Sequence, residues 1–456
     1  MKRLLKEHKG QVFVYVAIAL VVLLAMVGLA IDLGIAYGVK AKLNAAVDAA
    51  AVEAGKVISQ GTSVANTKAA NFFNTNYPSG FLGSTVSAPT VSSVHNADGS
   101  YDVAVNATAT VPTNFARVLG FNSFTVGASA TTHVRTMDMV LVIDTTTSLS
   151  NSYSPGAFTA LQKAATAFIK DFDPNSYRIG LIHYAGGAVV DYNICNGDNN
   201  NCAQKSYNQN TIINDIKNMS PNGCTNSEYA MWLAQHELDS VPVANRASLR
   251  VIVFFTDGAP NTITAYYSNG VTGDLFSTTD GTSTPSQYYV YNQQYTSISG
   301  GHSALSSLPT TGTFTGTDPT TQSTNNAMNN VNLANYNTNI RPSFSYSPVN
   351  GCNANMAARN MLENVANSAR SESGNNAITI FTIGFGINLT KIEIDHCSTY
   401  GTSEYGENIL KRLANVSGVD TYNSNQPTGM YVPAPTPNDL GPAFEAVANQ
   451  ILRISK

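Results

Sequence analysis

Twenty consecutive residues, Val12 to Ile31, carry no charged side chain. A helix of that length, at about 1.5 Å per residue, covers the roughly 30 Å hydrocarbon core of a bilayer. In lipid a single segment satisfies its own backbone hydrogen bonds only as a helix. The run therefore reads as a transmembrane helix, taken as residues 11–37, behind a basic cytoplasmic tip at residues 1–10, the alternative being a fully buried helix of a soluble protein. A secretory signal would have a shorter apolar part and a small-residue cleavage site. Lys2, Arg3, Lys6 and Lys9 precede the span, and Lys40 and Lys42 are the first cations after it. That bias places the N-terminus in the cytoplasm and the bulk of the chain outside, as a single-pass protein.

The helical pattern continues past Asp32. Residues Lys40–Lys56 keep Leu43, Ala46, Val47, Ala50 and Ala54 on one stripe, so one long helix leaves the membrane. Asp32 is either a solvated end residue or a contact with a neighbouring helix. Gly28, Ala30, Gly34 and Ala36 offer small residues for close helix packing. Over residues 60–82, with Pro78, the helix is expected to fray or turn over. Ser84–Val94 and Tyr101–Val111 then alternate apolar with polar or small residues, joined by Asn96–Ser100, the signature of a hairpin. Phe124–Val134 supplies a third strand, and residues 38–135 read as a small α+β stalk.

The stretches Gly28–Gly34, GLAIDLG, and Leu43–Ala51, LNAAVDAAA, resemble the N-terminal segment of TadE- and TadG-like proteins of the Tad (Flp) pilus-assembly system. The resemblance implies a pilin-like stalk, an inner-membrane location with a periplasmic bulk, and pilus-assembly proteins as partners. Pilin-like subunits are often cut after a Gly with a Glu five residues beyond. Here Tyr15 holds that position after Gly10, so the anchor is expected to be retained.

From Met137 apolar strands alternate with helices, which signals an α/β fold with a mostly parallel sheet flanked by helices. Strands are expected at Met139–Ile143, Arg178–Tyr184, Arg250–Phe255 and Ala377–Phe385. Helices are expected at Ala157–Phe172, Ile212–Met219, Ser227–Leu238, Met356–Ala369, Glu404–Val416 and Asp439–Ile454, with a short strand at Val419–Tyr422. The domain occupies residues 136–260 and 351–456. Between them residues 261–350 are rich in Thr, Ser, Asn, Gly and Tyr, too long for an ordinary loop. Such a segment is either functional or disordered, and it leaves from the strand that carries Asp257.

The stretch Met137–Asn151, MDMVLVIDTTTSLSN, runs a buried strand into one carboxylate and several hydroxyls. Asp144, Thr146 and Ser148 are candidate ligands for a hard divalent cation. Thr225, in NGCTNSEYA, and Asp257, in VIVFFTDGAPN, complete the set. Mg²⁺, or another divalent cation such as Mn²⁺ or Ca²⁺, suits such oxygen donors. Asp144-Thr-Thr146-Thr-Ser148 resembles the D-x-S-x-S metal-ion-dependent adhesion motif (MIDAS) of von Willebrand factor A (VWA) domains, with Thr146 for the usual Ser. Thr225 and Asp257 match its other two parts. The resemblance implies a Rossmann-like VWA fold and a cation whose shell is completed by an acidic group on a protein ligand. A degenerate site, whose residues merely hydrogen-bond the loops, is the alternative.

Other chemistry is thinly supported. Asp144-x-Thr lacks the second Asp of a DxD phosphotransferase, and no Ser/His/Asp constellation or phosphate-cradling loop stands out, so no catalytic residue is assigned and an enzyme is not expected. Charged residues are 12% of the chain and the net charge is −4, which leaves no basic footprint for nucleic acid. His183 and Trp232 read as core residues, and Asp191 and Asp198 as part of an Asn-rich surface turn. Outside the cytoplasm, Cys195 and Cys202 would close that turn as a disulfide, and Cys224 could pair with Cys352, leaving Cys397 over. Two functions follow: a membrane-anchored pilus-assembly component with metal-dependent adhesion, or a structural pilin-like subunit with a vestigial metal site.

Overall fold

A computed structural model describes residues 9–97, 99–195, 202–258, 260–267, 271–276, 287–291, 298–303, 351–386, 389 and 406–455. The chain divides into two compact units, Met1–Val134 and Arg135–Lys456.

The first unit is built on α1, Lys9–Val57. Its first half is long and apolar enough to cross a membrane, with large side chains from Val12 to Leu33 exposed. Its second half buries Val39, Leu43, Ala46, Val47, Ala50 and Ala54, the stripe expected from the sequence. Of the two expectations for residues 60–82, the chain turns over rather than frays, and most of these residues form a second helix, α2, Thr62–Asn76. Gly61, at φ +113, reverses the chain. Ala65, Ala69 and Phe73, four residues apart, then bury one face of α2. The sheet contains β1 (Thr85–Val86), β2 (Thr90–His95), β3 (Tyr101–Pro112) and β4 (Ser123–Val134), all antiparallel to β3. On β3 the alternate residues Val103, Val105, Ala107, Ala109 and Val111 are buried in the same core as the α1 stripe.

Asp32 takes neither of its two expected roles. Its carboxylate accepts the backbone N–H groups of Asn114 and Phe115 at 2.9 Å and of Ala116 at 2.7 Å, all within its own unit. Gly28 lies under Phe115 and Ala36 is buried. Two of the four small residues expected to serve another helix are therefore covered by their own chain.

The second unit holds β5 (Met137–Asp144), β6 (Arg178–Tyr184), β7 (Ala188–Tyr192), β8 (Leu249–Thr256), β13 (Ile378–Phe385) and β14 (Tyr431–Ala434). Their order is β14-β13-β8-β5-β6-β7, parallel except for the antiparallel edge strand β7. Both faces are covered. Val140, Val142, Ile252 and Phe254 face a core shared with α5 (Ser227–Ser240), α6 (Gly351–Arg370) and α7 (Gly406–Leu413). Met139, Leu141, Val251, Val253 and Phe255 face one shared with α3 (Ala157–Lys170), α4 (Gln209–Asn218) and α8 (Leu440–Ile454). A sheet covered on both faces needs continuous apolar strands, and every residue of β5, β8 and β13 is buried.

The expected strand at Val419–Tyr422 is instead a turn wrapped around Asn415. The Asn415 amide donates to the carbonyl of Asn423 at 2.8 Å and accepts the Asn423 N–H at 2.9 Å. With Gly418 at φ +95, the chain curls there, and Tyr431–Ala434 takes the sheet edge. Between β8 and α6, β9 (Thr262–Tyr267) pairs with β10 (Val271–Phe276), and β11 (Gln287–Tyr291) with β12 (Ile298–Ser303). Apart from Asn261 and these strands, the 261–350 insertion, read from the sequence as functional or disordered, lies outside the described residues.

Cys195 and Cys202 form the expected disulfide. Cys224 carries a free thiol, which burial pushes up to about 11. The side chains of Cys352 and Cys397, and Asp198, lie outside the described residues. His183 is half-buried and pairs with Asp191 at 2.7 Å, a contact across β6 and β7 rather than a core position. Trp232 is buried, stacked on Tyr229 and His236.

Candidate metal-binding site

The three central strands have opposite chemistry at their two ends. At their starts, Asp138 pairs in register with Arg178 on one side and Arg250 on the other. At their ends stand Asp144, Tyr184 and Thr256. Parallel pairing brings those last residues to one edge of the sheet, where open α/β folds bind ligands.

The Asp144 carboxylate is buried and held from three sides. It accepts the Thr146 N–H at 2.8 Å on one oxygen, and the hydroxyls of Thr256 at 2.7 Å and Tyr184 at 3.1 Å on the other. Just beyond the strand, Ser148 donates to Asp257 Oδ1 at 2.8 Å and Thr146 donates to the same oxygen at 3.2 Å. Thr146 Oγ1 and Ser148 Oγ are themselves 2.8 Å apart. Four of the five sequence-predicted residues thus form one cluster, spanning more than a hundred residues of chain.

Thr225 reaches this border through its backbone. Its N–H donates to Asn261 Oδ1 at 2.8 Å, and its carbonyl accepts the N–H groups of Asn261 and Thr262 at 3.0 and 3.2 Å. The loop before it is tied to the Asp144 loop. Asn222 N–H donates to the Thr145 carbonyl at 2.7 Å, and Thr147 N–H donates to the Gly223 carbonyl at 3.1 Å. Gly223 sits at φ +85, and a Cβ there would lie 3.1 Å from the Gly186 nitrogen. Gly223→Ala is therefore expected to cost about 1–2 kcal/mol and to displace Thr225, checked by thermal unfolding together with cation affinity.

Two carboxylates sharing this pocket disfavour each other's ionisation. Burial, then the Asp144 charge, pushes the Asp257 carboxyl up to about 8. Burial also raises Asp144 against the hydrogen bonds that lower it. Burial and the Asp144 charge lift the Tyr184 phenol well above its usual range, so it remains a donor.

The donor set fits a hard cation. The oxygens of Thr146, Ser148 and Asp257 are 2.8–3.2 Å apart. The edge of an octahedron with 2.0–2.1 Å metal–oxygen bonds is about 2.9 Å, so these three atoms already stand as one triangular face. Asp144 and Thr146 are buried and Ser148 is exposed, so the face opens on its Ser148 side. Among the described residues no group of three or more acid, His or Cys side chains is placed to hold a metal ion. Cation binding here would therefore depend on hydroxyl oxygens, as the sequence motif requires.

Sequence reasoning missed Thr256, Tyr184 and Asn261. The first two were traceable, since each ends a strand beside β5. Asn261 was not, because only the folded loop brings it to Thr225.

Residues 139–259 match the von Willebrand factor type A domain family, and residues 10–57 match the TadE/G-like Flp pilus-assembly family. All five candidate ligands lie within the first match. No curated protein matches the chain. Among solved structures, the chain is similar to the vWF domain of the type V pili tip protein Mfa5 from Porphyromonas gingivalis, at 16% identity and a TM-score of 0.38, covering 71% of this chain and 97% of that one. It is also similar to a mutant of the PilB minor pilin from Streptococcus sanguinis, at 15% identity and a TM-score of 0.38, covering 81% and 79%. A further similarity is to the pilus adhesin SpaC from Lactobacillus rhamnosus GG, at 13% identity and a TM-score of 0.38, covering 80% and 34%. The chain joins a TadE/G-like Flp pilus-assembly segment to a von Willebrand factor type A domain, the combination of a TadG-like protein.

Proposed function

We propose that this protein is a membrane-anchored component of a Tad/Flp pilus-assembly system whose VWA domain binds an acidic group on a protein partner through Mg²⁺ or a similar divalent cation. Asp144, Thr146, Ser148, Thr225 and Asp257 would hold the ion, and the ion would supply the positive charge that a partner carboxylate completes. The role is binding without turnover. The observation that carries this reading is the meeting of Thr146 and Ser148 with Asp257, from distant parts of the chain, as one open face of oxygens. The apolar half of α1 and the TadE/G-like match support a single-pass anchor in the inner membrane with the domain outside.

Calorimetric titration of the full-length protein with Mg²⁺ tests it. One ion per chain is expected. Because Asp257 holds its proton up to about pH 8, an entering cation must displace that proton. Apparent affinity should therefore fall up to about tenfold per pH unit below that value and level off above it. Absence of saturable binding at pH 8.5 would remove the metal from the proposal.

A further inference from the structure

Four large apolar side chains crowd one short turn of the first unit. Phe115, Val118, Leu119 and Phe121 are 49, 85, 61 and 62% exposed. The turn is a single stretch of 3-10 helix, Ala116–Leu119, closed by Gly120 at φ +93. A cluster of this kind on a water-facing loop marks an interaction surface.

Its position against α1 says what it meets. A Cβ on Gly28 would lie 2.6 Å from the Cβ and ring of Phe115, so Phe115 rests directly on the helix at that glycine. Gly28 is inside the apolar run, within one turn of its end at Ile31. The side chains around it, Val27 and Leu29, are themselves exposed. The apolar surface of the turn is thus continuous with the surface that the span offers to lipid.

The backbone of the turn is prepared for a medium without water. Asp32 accepts the N–H groups of Asn114, Phe115 and Ala116. Thr113 N–H donates to Asn122, Val118 to Phe115, Gly120 to Arg117 and Phe121 to Ala116, at 3.0–3.2 Å. A turn facing only water has little need of so many internal partners, whereas one in an apolar layer does. Arg117, on the same turn, is exposed and long enough to reach lipid phosphates while its neighbours lie deeper.

We propose that residues 115–121 form a second contact with the bilayer, a wedge that enters the outer interface beside α1 and that Asp32 holds in place. The inference rests on the reading of α1 as a membrane span. A helix alone is free to rotate and to slide in depth. A wedge fixed to one side of it sets both, and so sets the orientation of the stalk built on the same helix.

The chain has a single tryptophan, Trp232, which makes the test direct. In a Trp232→Phe background the full-length protein is reconstituted into phosphatidylethanolamine–phosphatidylglycerol nanodiscs, carrying either Leu119→Trp or, as a mid-span control, Leu20→Trp. Lipids brominated near the headgroup end of the acyl chain should quench Leu119→Trp by about twofold or more. Lipids brominated near the chain ends should act mainly on Leu20→Trp. Quenching of Leu20→Trp without quenching of Leu119→Trp, whether the latter is open to acrylamide or shielded by another protein, overturns the wedge and leaves the anchor standing. Failure of both to be quenched overturns the anchor and the wedge together. A Val118→Asp/Leu119→Asp variant, at exposed positions that the core does not use, should lower the depth-dependent quenching of a tryptophan placed at Phe121.

Discussion

Arg178→Ala is expected to destabilise the second unit by about 3–5 kcal/mol, read from urea unfolding followed through Trp232. Arg178 and Asp138 are fully buried and meet through two parallel hydrogen bonds of 2.8 and 2.9 Å. Arg178 also donates to the carbonyls of Cys202 and Asn245, and Asp138 accepts the Ala247 N–H at 2.8 Å. Truncating the arginine takes from the buried carboxylate its two-pronged partner and removes a donor from the Cys202 carbonyl, leaving Lys205, which also bonds the Asn245 carbonyl at 3.0 Å, as the remaining nearby positive charge. The pair itself contributes little relative to apolar residues of equal volume, since removing both ions from water is costly. Asp138→Leu/Arg178→Met should therefore unfold less readily than either single variant, which separates the cost of an orphaned charge from the value of the pair.

The same pair predicts an acid response. Burial pushes the Asp138 carboxyl up, but the Lys205 and Arg178 charges and the hydrogen bonds outweigh it and hold it below its ordinary value. A carboxyl lowered in the folded state stabilises it above the unfolded pKa, near 3.8. That contribution is lost as pH falls through the lower folded value. In Arg178→Ala this part of the acid sensitivity should shrink.

Asp144→Ala is expected to abolish cation-linked stabilisation while leaving the domain folded. For the unaltered protein, Mg²⁺ at about a hundred times its Kd should add roughly 2.7 kcal/mol to unfolding, and the variant should gain nothing. The fold survives because the groups that bond Asp144 keep other partners. Tyr184 also donates to the Phe255 carbonyl at 3.3 Å, and the Thr256 hydroxyl to that of Gly258 at 3.1 Å. Burial also disfavours the Asp144 charge, so its removal relieves a cost in the cation-free protein. A Mg²⁺-induced shift that persists in Asp144→Ala would exclude this carboxylate as a ligand. Loss of the shift together with loss of the fold would make Asp144 structural.

Much of the architecture could be read directly from the chain. The β6 boundaries, Arg178–Tyr184, coincide with expectation, and α3, α5 and α8 differ from it only at their ends. Each carries a periodic apolar pattern over at least seven residues, strong enough to outweigh local alternatives. Where the pattern was short, the reading failed. The four residues of β14 and the five of β7 hold weak signals of their own. They are strands because an open sheet edge was there to receive them, whereas Val419–Tyr422 was claimed by Asn415.

The candidate ligands divide in the same way. Residue types and spacing marked Asp144, Thr146, Ser148, Thr225 and Asp257 as oxygen donors, because the chemistry of a hard cation restricts which side chains can serve. Nothing in that spacing says that Ser148 and Asp257 touch. Their contact depends on β5 and β8 being parallel neighbours in register, and register is a property of paired strands. Likewise Asp32 was visible in the sequence as an acid at the edge of an apolar run, while its partners at Asn114, Phe115 and Ala116 were not. Local pattern determined which segments are helices and strands and which helix is apolar enough to cross a membrane, since periodicity and side-chain chemistry are carried by neighbours in the chain. Only the tertiary structure decided which distant groups share a pocket, because that depends on how whole elements pack and pair.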